Sequence, residues 1–172
     1  MRIKLVSPTM KYAADIMEMR QELLNDDNKY SFAGCGTLKN CKSAEEWIES
    51  CNVKEYPDAM IPTSRCIAVR ESDNKIVGIV DLRHHIDHPV LRDWGGHIAY
   101  TVRPSERRKG YVKEMMRQVL QKGKEMGIDK IMISCNDDNA ISEKVILSNG
   151  GVYERSAKHD GVVTKIFWID NR

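Results

Sequence analysis

Apolar positions recur along this chain at two spacings, every second residue or every third to fourth, and the alternation between them predicts its elements. Arg2 to Val6 reads as a strand with Ile3 and Leu5 on one face. Ser7-Pro8 suits a helix start, since Pro tolerates the first turn and Ser can cap it. Ala13, Ile16, Met17, Met19, Leu23 and Leu24 then form a helical stripe as far as about Asn25. Asp26 to Lys29 is a polar break, and Tyr30 to Lys42 keeps no period and reads as a loop. Ser43 is followed three residues later by Glu46, the capping-box spacing, and starts a helix through Trp47, Ile48 and Cys51. Tyr56 to Ser64, with Pro57 and Pro62, is a connector. Cys66 to Arg70 and Ile76 to Arg83 form a hairpin across Glu71 to Lys75.

His84 to Trp94 follows neither spacing. His97 to Val102 is a strand of β-branched and aromatic residues, broken by Pro104, which fixes φ and has no N–H for a ladder bond. Val112, Met115, Met116, Val119, Leu120, Gly123 and Met126 step along one helix face, with the two adjacent Met residues in the core. Lys130 to Cys135 is a strand with Ile131 and Ile133 on one face. Asn136 to Asn139 caps a helix from Ala140 to about Ser148, which Asn149-Gly150-Gly151 ends. Val152 to Ala157 and Val162 to Ile169 make a last hairpin around Lys158 to Gly161. The order is that of a mixed α/β sheet. The 172 residues suffice for one domain with a proper core, and no repeat, low-complexity tract or linker interrupts them.

Composition narrows the function by exclusion. The 27 basic and 25 acidic residues leave a net charge of +2, which argues against a general nucleic-acid binder. No apolar run approaches a membrane span and the N-terminus lacks the apolar core of a signal peptide, so a cytoplasmic protein is expected. Cys35, Cys41, Cys51, Cys66 and Cys135 are odd in number and show no Cys-x-x-Cys spacing, so they read as reduced thiols. His84, His85 and His88, near Asp87 and Asp93, match no standard zinc spacing, and no metal is expected.

The chemistry concentrates where a strand ends, a basic loop follows and a helix begins. Arg107-Arg108-Lys109-Gly110 precedes a helix whose first N–H groups are unpaired and whose dipole is positive at that end, an arrangement suited to a pyrophosphate. Gly110 lets the backbone approach a ligand closely. The segment has neither the Gly-x-x-x-x-Gly-Lys-Ser/Thr of a P-loop nor the Gly-x-Gly-x-x-Gly of a dinucleotide site. Taken alone, it reads better as a basic loop solvated at a helix start.

Val102-Arg-Pro-Ser-Glu-Arg-Arg-Lys-Gly-Tyr-Val112 resembles the acyl-CoA-binding motif of the GNAT N-acetyltransferases, Arg/Gln-x-x-Gly-x-Gly/Ala, from Arg107 onward. Ile131 to Gly151 resembles the next element of that family, a strand, an Asn and a short helix ending at Gly. The resemblance covers the C-terminal half by motif and the N-terminal half by order of elements. It implies a GNAT-like mixed sheet of about seven strands with four main helices, whose fourth and fifth strands run parallel and splay around the acyl-thioester arm. It implies acetyl-CoA as cosubstrate and an amine acceptor, small molecule or protein, for a monomer or homodimer. Backbone groups of Thr101, Val102 and Arg103 would meet the pantetheine and the carbonyl, and N–H groups from Arg108 through Lys109, Gly110 and Tyr111 to Val112 would cradle the pyrophosphate. Asn139 and Ser142 would border the pantetheine.

An acetyltransferase must also take a proton from the amine and help a thiolate leave. His97 stands where many members carry Glu, and imidazole suits a base near neutral pH; it reads equally as a strand His satisfied by a backbone group. Ile146 stands where many members carry the Tyr that protonates the thiolate, Val112 replaces the second Gly or Ala, and Gly151 replaces a common aromatic. The thiolate's proton then comes from the Ser142 hydroxyl or from solvent, and solvent is favoured because a thiol of pKa about 8.5 leaves tolerably unprotonated. Trp47, Trp94 and Tyr30 can line an acceptor pocket, although core packing suits each better. A CoA-binding regulatory module without turnover is the alternative to the enzyme, and a nucleic-acid site built on Arg103, Arg107, Arg108 and Lys109 is a third reading.

Overall fold

A computed structural model describes residues 2–53 and 60–172. Its order is β1 (Ile3–Val6), α1 (Ala13–Leu24), α2 (Ala44–Cys51), β2 (Thr63–Arg70), β3 (Ile76–Arg83), β4 (Ile98–Val102), α3 (Tyr111–Glu125), β5 (Lys130–Asn136), α4 (Ala140–Ser148), β6 (Val152–His159) and β7 (Val162–Asp170). The strands form one seven-stranded sheet in the order β1-β2-β3-β4-β5-β7-β6. The β4–β5 pair is parallel and the other adjacent pairs are antiparallel. This is the mixed sheet that the order of elements predicted, with the parallel fourth and fifth strands that the family resemblance implied.

Two apolar clusters flank the sheet because strand side chains alternate between faces. On one face Met115, Met116 and Val119 of α3 meet Val80, Leu82, Ile98, Ile131, Ile133 and Phe167. On the other, Ile16, Met19 and Leu23 of α1 and Trp47 of α2 meet Ile67, Ile76 and Ile79. The periodic stripes are buried or half-buried as read, except at their ends, where Leu24 and Met126 are exposed. Both are terminal helix positions, where the face turns away from the sheet.

Local chemistry explains the other differences. Ser43 Oγ accepts the Glu46 N–H, and the Glu46 carboxylate turns back to the Lys42 N–H. The first helix begins later than Ser7-Pro8 suggests: a 3-10 turn at Met10–Tyr12 leads into α1, and neither Thr9 nor Tyr12 caps with its side chain. The stretch read as loop holds a 3-10 turn at Gly36–Lys39, and the aperiodic stretch before β4 ends in a π-helical turn at Leu91–Gly95. One-turn elements leave no repeating apolar signal. Part of the connector expected from Tyr56, through Pro57, lies outside the described residues, while Thr63 and Ser64 belong to β2. The last hairpin turns on Asp160 and Gly161, both at positive φ, the requirement of a tight two-residue turn. All five cysteines are free and buried. Among the described residues, no helix is long and apolar enough to cross a membrane.

Candidate active site

The parallel pair is joined at a single register position, Ile98 opposite Ile133, with the His97 N–H bonded to the Met132 carbonyl at 2.8 Å just before it. Beyond that bridge β4 stays with β3 while β5 pairs with β7, so a cleft opens toward the C-terminal ends of β4 and β5. In an antiparallel ladder the N–H and C=O of one residue face one neighbour and those of the next residue face the other. Arg103 donates to the Val77 carbonyl at 2.9 Å, and Thr101 sits opposite Ile79, so these two residues are committed to β3. The Arg103 carbonyl is also taken, by the Glu106 N–H at 2.9 Å. The groups that face the cleft are those of Tyr100 and Val102. Of the three backbone positions expected to meet the pantetheine, Val102 faces the cleft and Thr101 and Arg103 face β3, while Tyr100 faces the cleft beside Val102.

At the open end of the cleft lies the basic loop. A 3-10 turn, Pro104–Glu106, carries the chain out of β4, and Gly110 stands before α3 with φ of 81°. Arg108 also has positive φ, 62°, whereas Lys109 between them does not. Such alternation turns successive N–H groups toward one side, which makes an anion-binding concavity at the positive end of the α3 dipole. Arg108, Lys109 and Gly110 are exposed there, Val112 is half-buried, and Tyr111 is buried with its hydroxyl accepting from Arg70 at 2.9 Å.

The other basic side chains are spoken for. Arg103 is 2% exposed and is bound by Asp15, by Glu18 at 3.4 Å and by Glu22 at 2.7 Å, all on α1. Glu22 also accepts the Ser105 N–H at 3.1 Å. Arg107 reaches Asp26 at 2.5 Å and the Val102 carbonyl at 3.4 Å, and its guanidinium holds the Asp26 carboxyl below the usual range. Lys109 binds Glu106 at 2.9 Å. The acidic residues of α1 and its C-terminal flank thus brace the loop from behind. Arg103 and Arg107 thus have carboxylates of their own, whereas Lys109 shares Glu106 with Arg70 and Lys75, so the pairing weakens the case for a nucleic-acid site on Arg103, Arg107, Arg108 and Lys109.

The segment after α1 crosses the mouth of the cleft. Gly34 packs directly over Ala99 of β4, where an added Cβ would lie 2.4 Å from the Ala99 carbonyl oxygen. Farther along, the Tyr30 hydroxyl meets the Asp138 carboxylate and accepts from the Asn136 amide at 3.3 Å, and Lys29 pairs with Asp138 at 2.6 Å. The segment from Tyr30 to Gly34 therefore reaches the end of β5 at one end and β4 at the other, and Tyr30 itself is half-buried rather than core. Trp94 is half-buried and stacks on His159 at 4.8 Å, while Trp47 is fully buried with its indole N–H on the Cys35 carbonyl. Core packing describes Trp47 alone among the three. His84 is bonded to Ser64 at 2.9 Å and His85 to Asp87 at 3.3 Å; among the described residues no cluster of His, Cys, Asp or Glu is arranged to hold a metal.

His97 is 5% exposed at the closed end of the cleft. Its Nδ1 accepts the Met132 N–H at 3.0 Å, and its carbonyl accepts the Arg83 N–H at 2.8 Å. Burial pushes the imidazole down to about 4. With Nδ1 occupied as acceptor, the neutral ring carries its proton on Nε2 and has no lone pair left for a substrate. Of its two readings the geometry favours a histidine satisfied by backbone, one residue before β4.

Across the open end, Asn139 caps α4 by accepting the Ser142 N–H at 3.2 Å. The Ser142 hydroxyl in turn lies 3.1 Å from the hydroxyl of Tyr100, so β4 and α4 are joined over the cleft by two hydroxyl groups. Ile146 is fully buried and packs on Gly151, where an added Cβ would lie 2.4 Å from Ile146 Cγ2. The two departures at positions 146 and 151 are thus one packing arrangement. Sequence reasoning missed Tyr100 as a site residue because strand alternation marks it only as inward-facing.

The chain matches the family model described as Acetyltransferase (GNAT) domain over residues 2–152. No curated protein sequence matches it. Among solved structures it resembles the microcin C7 self-immunity acetyltransferase MccE in complex with acetyl-CoA and AMP, at 20% identity and a TM-score of 0.69, covering 98% of this chain and 92% of that one. It also resembles a variant of the spermidine N-acetyltransferase SpeG from Vibrio cholerae, at 17% identity and a TM-score of 0.64, covering 99% and 95%. At such identities the likeness is one of fold.

Proposed function

The chain belongs to the GNAT acetyltransferase family, and from that premise we propose that it transfers an acetyl group from acetyl-CoA to a primary amine by direct attack on the thioester. The observation that carries this reading is the cleft itself: a parallel pair held at Ile98 and Ile133 alone, opening onto the exposed loop at the head of α3. Backbone N–H groups from Arg108 to Val112 receive the pyrophosphate. The pantetheine then runs between the strands past Val102 and Tyr100, bordered by Asn139 and Ser142. The cleft-facing N–H groups of Tyr100 and Val102 polarise the thioester carbonyl and stabilise the oxyanion as it forms.

The amine enters from the mouth spanned by Tyr30 and Asn136. Because His97 has no acceptor to offer, the ammonium loses its proton to water at that mouth, and the neutral amine attacks. Expulsion of the thiolate completes the transfer. Acetyl-CoA should release free thiol at a steady rate in the presence of a panel of amines, with an acetyl mass shift on the accepting one. Tight acetyl-CoA binding with no thiol release would favour the regulatory module instead, the reading motivated by Ile146.

A further inference from the structure

We propose that Tyr100 donates the proton to the departing CoA thiolate, with Ser142 as the positioning residue that aims and recharges it. The inference rests on the acetyl-transfer reading above and deepens it. Its geometry is independent of position 146. Tyr100 stands on the strand that lines the cleft, its backbone faces β5, and its ring packs against the cluster beneath α3 and α4. From there its hydroxyl meets the Ser142 hydroxyl, 3.1 Å away, in the first turn of α4. A thioester arm threaded from the α3 loop passes between these two elements. The phenol is therefore placed beside the sulfur rather than beside the amine.

Two further observations favour Tyr100 over the alternatives. Ile146, one turn beyond Ser142, is fully buried against Gly151 and has no proton to give. The Ser142 hydroxyl is a much weaker acid than a phenol and cannot lead the transfer by itself. Burial pushes the Tyr100 hydroxyl up, and the Ser142 contact offsets part of that rise, so the phenol is protonated throughout the neutral range. In the step, the C–S bond of the tetrahedral adduct breaks with its electron pair moving to sulfur, while the Tyr100 O–H proton passes to that sulfur. The amide forms as the carbonyl is restored. The phenolate then recovers a proton from water through Ser142, and the proton lost by the ammonium balances it.

Single-turnover acetyl transfer in Tyr100→Phe should fall on the order of 10²-fold or more, the usual cost of losing an acid catalyst. Affinity for acetyl-CoA, measured by calorimetry, should stay as in the wild type. Ser142→Ala should slow transfer less and move the alkaline limb of the rate profile to higher pH, since it removes a contact that lowers the phenol's pKa. If Tyr100→Phe alters the thermal midpoint, the Ser142→Ala profile decides, because the phenol itself is retained there; an unmoved limb overturns the proposal. Wild-type turnover with an undiminished Tyr100→Phe rate overturns the proton-donor role alone. Absence of turnover in the wild type overturns the acetyl-transfer reading and this inference with it.

Discussion

His97 Nδ1, one residue before β4, lies 3.0 Å from the backbone nitrogen of Met132 on the parallel strand β5. This contact closes the narrow end of the cleft and gives His97 a structural task. Its imidazole is pushed down to about 4 by burial, below the ordinary value near 6.5. The unfolded chain therefore binds more protons than the folded one between those values, so stability is full above about pH 6.5 and is lost as pH falls toward 4. His97→Gln should lower stability at pH 7 and flatten its pH dependence over that window by about 3 kcal/mol. The pH dependence of kcat/KM should follow the titration of the amine acceptor in both proteins. A variant that keeps its stability but loses an acid-side limb in kcat/KM would restore His97 as a base.

Much of this was legible from residue spacing. The Ser43–Glu46 cap, the α3 stripe and the turn at Gly150 follow from local rules, and the structure keeps them. What spacing does not show is which side of a strand is committed to a neighbour. That distinction turns Thr101 and Arg103 toward β3 and Tyr100 toward the cleft, and it depends on a register between residues far apart in sequence. Arg103 reads as a surface cation because its partners lie on α1; the signal that could have found them is the run Asp15, Glu18, Glu22 at helical spacing.

Gly110 has φ of 81° and nothing within 4 Å of where a Cβ would stand. Space is therefore open in the unliganded chain, and the cost of a side chain divides into backbone strain and whatever it meets on a ligand. Gly110→Ala should cost roughly 1 kcal/mol of stability through strain alone. Gly110→Glu should match that loss and in addition weaken acetyl-CoA binding by roughly tenfold or more, through a negative charge beside phosphates. Added salt should recover part of the difference. Equal affinities for the wild type and a folded Gly110→Glu would place the pyrophosphate elsewhere.

Arg103 joins the end of β4 to α1, and Glu22 extends the link to the Ser105 N–H of the loop. Arg103→Met should destabilise the protein by about 3 kcal/mol, because the carboxylates facing it lose their countercharge. Burial alone would raise the Glu22 carboxyl, yet bonds from Arg103 and Ser105 bring it below the usual value. That contribution is present above the unfolded carboxyl range and is lost as pH falls through the folded one, so the variant should show a shallower acid-side loss of stability. A slackened loop should also raise KM for acetyl-CoA more than it lowers kcat. Chemical denaturation at several pH values, together with both kinetic constants, checks the prediction.

Placing a phenol at position 146 tests whether that site opens to the cleft. Ile146 is fully buried and its Cγ2 occupies the space beside Gly151, so a larger ring has no room without moving the end of α4. Ile146→Tyr should therefore destabilise by about 1–3 kcal/mol through overpacking. It should leave kcat at or below the wild-type value, because the displaced ring gains no path to the sulfur. In the Tyr100→Phe background it should fail to rescue the transfer rate. A stable Ile146→Tyr variant that restores transfer in that background would show that α4 can supply the proton, and that the packing of Ile146 on Gly151 leaves more freedom than their contact implies.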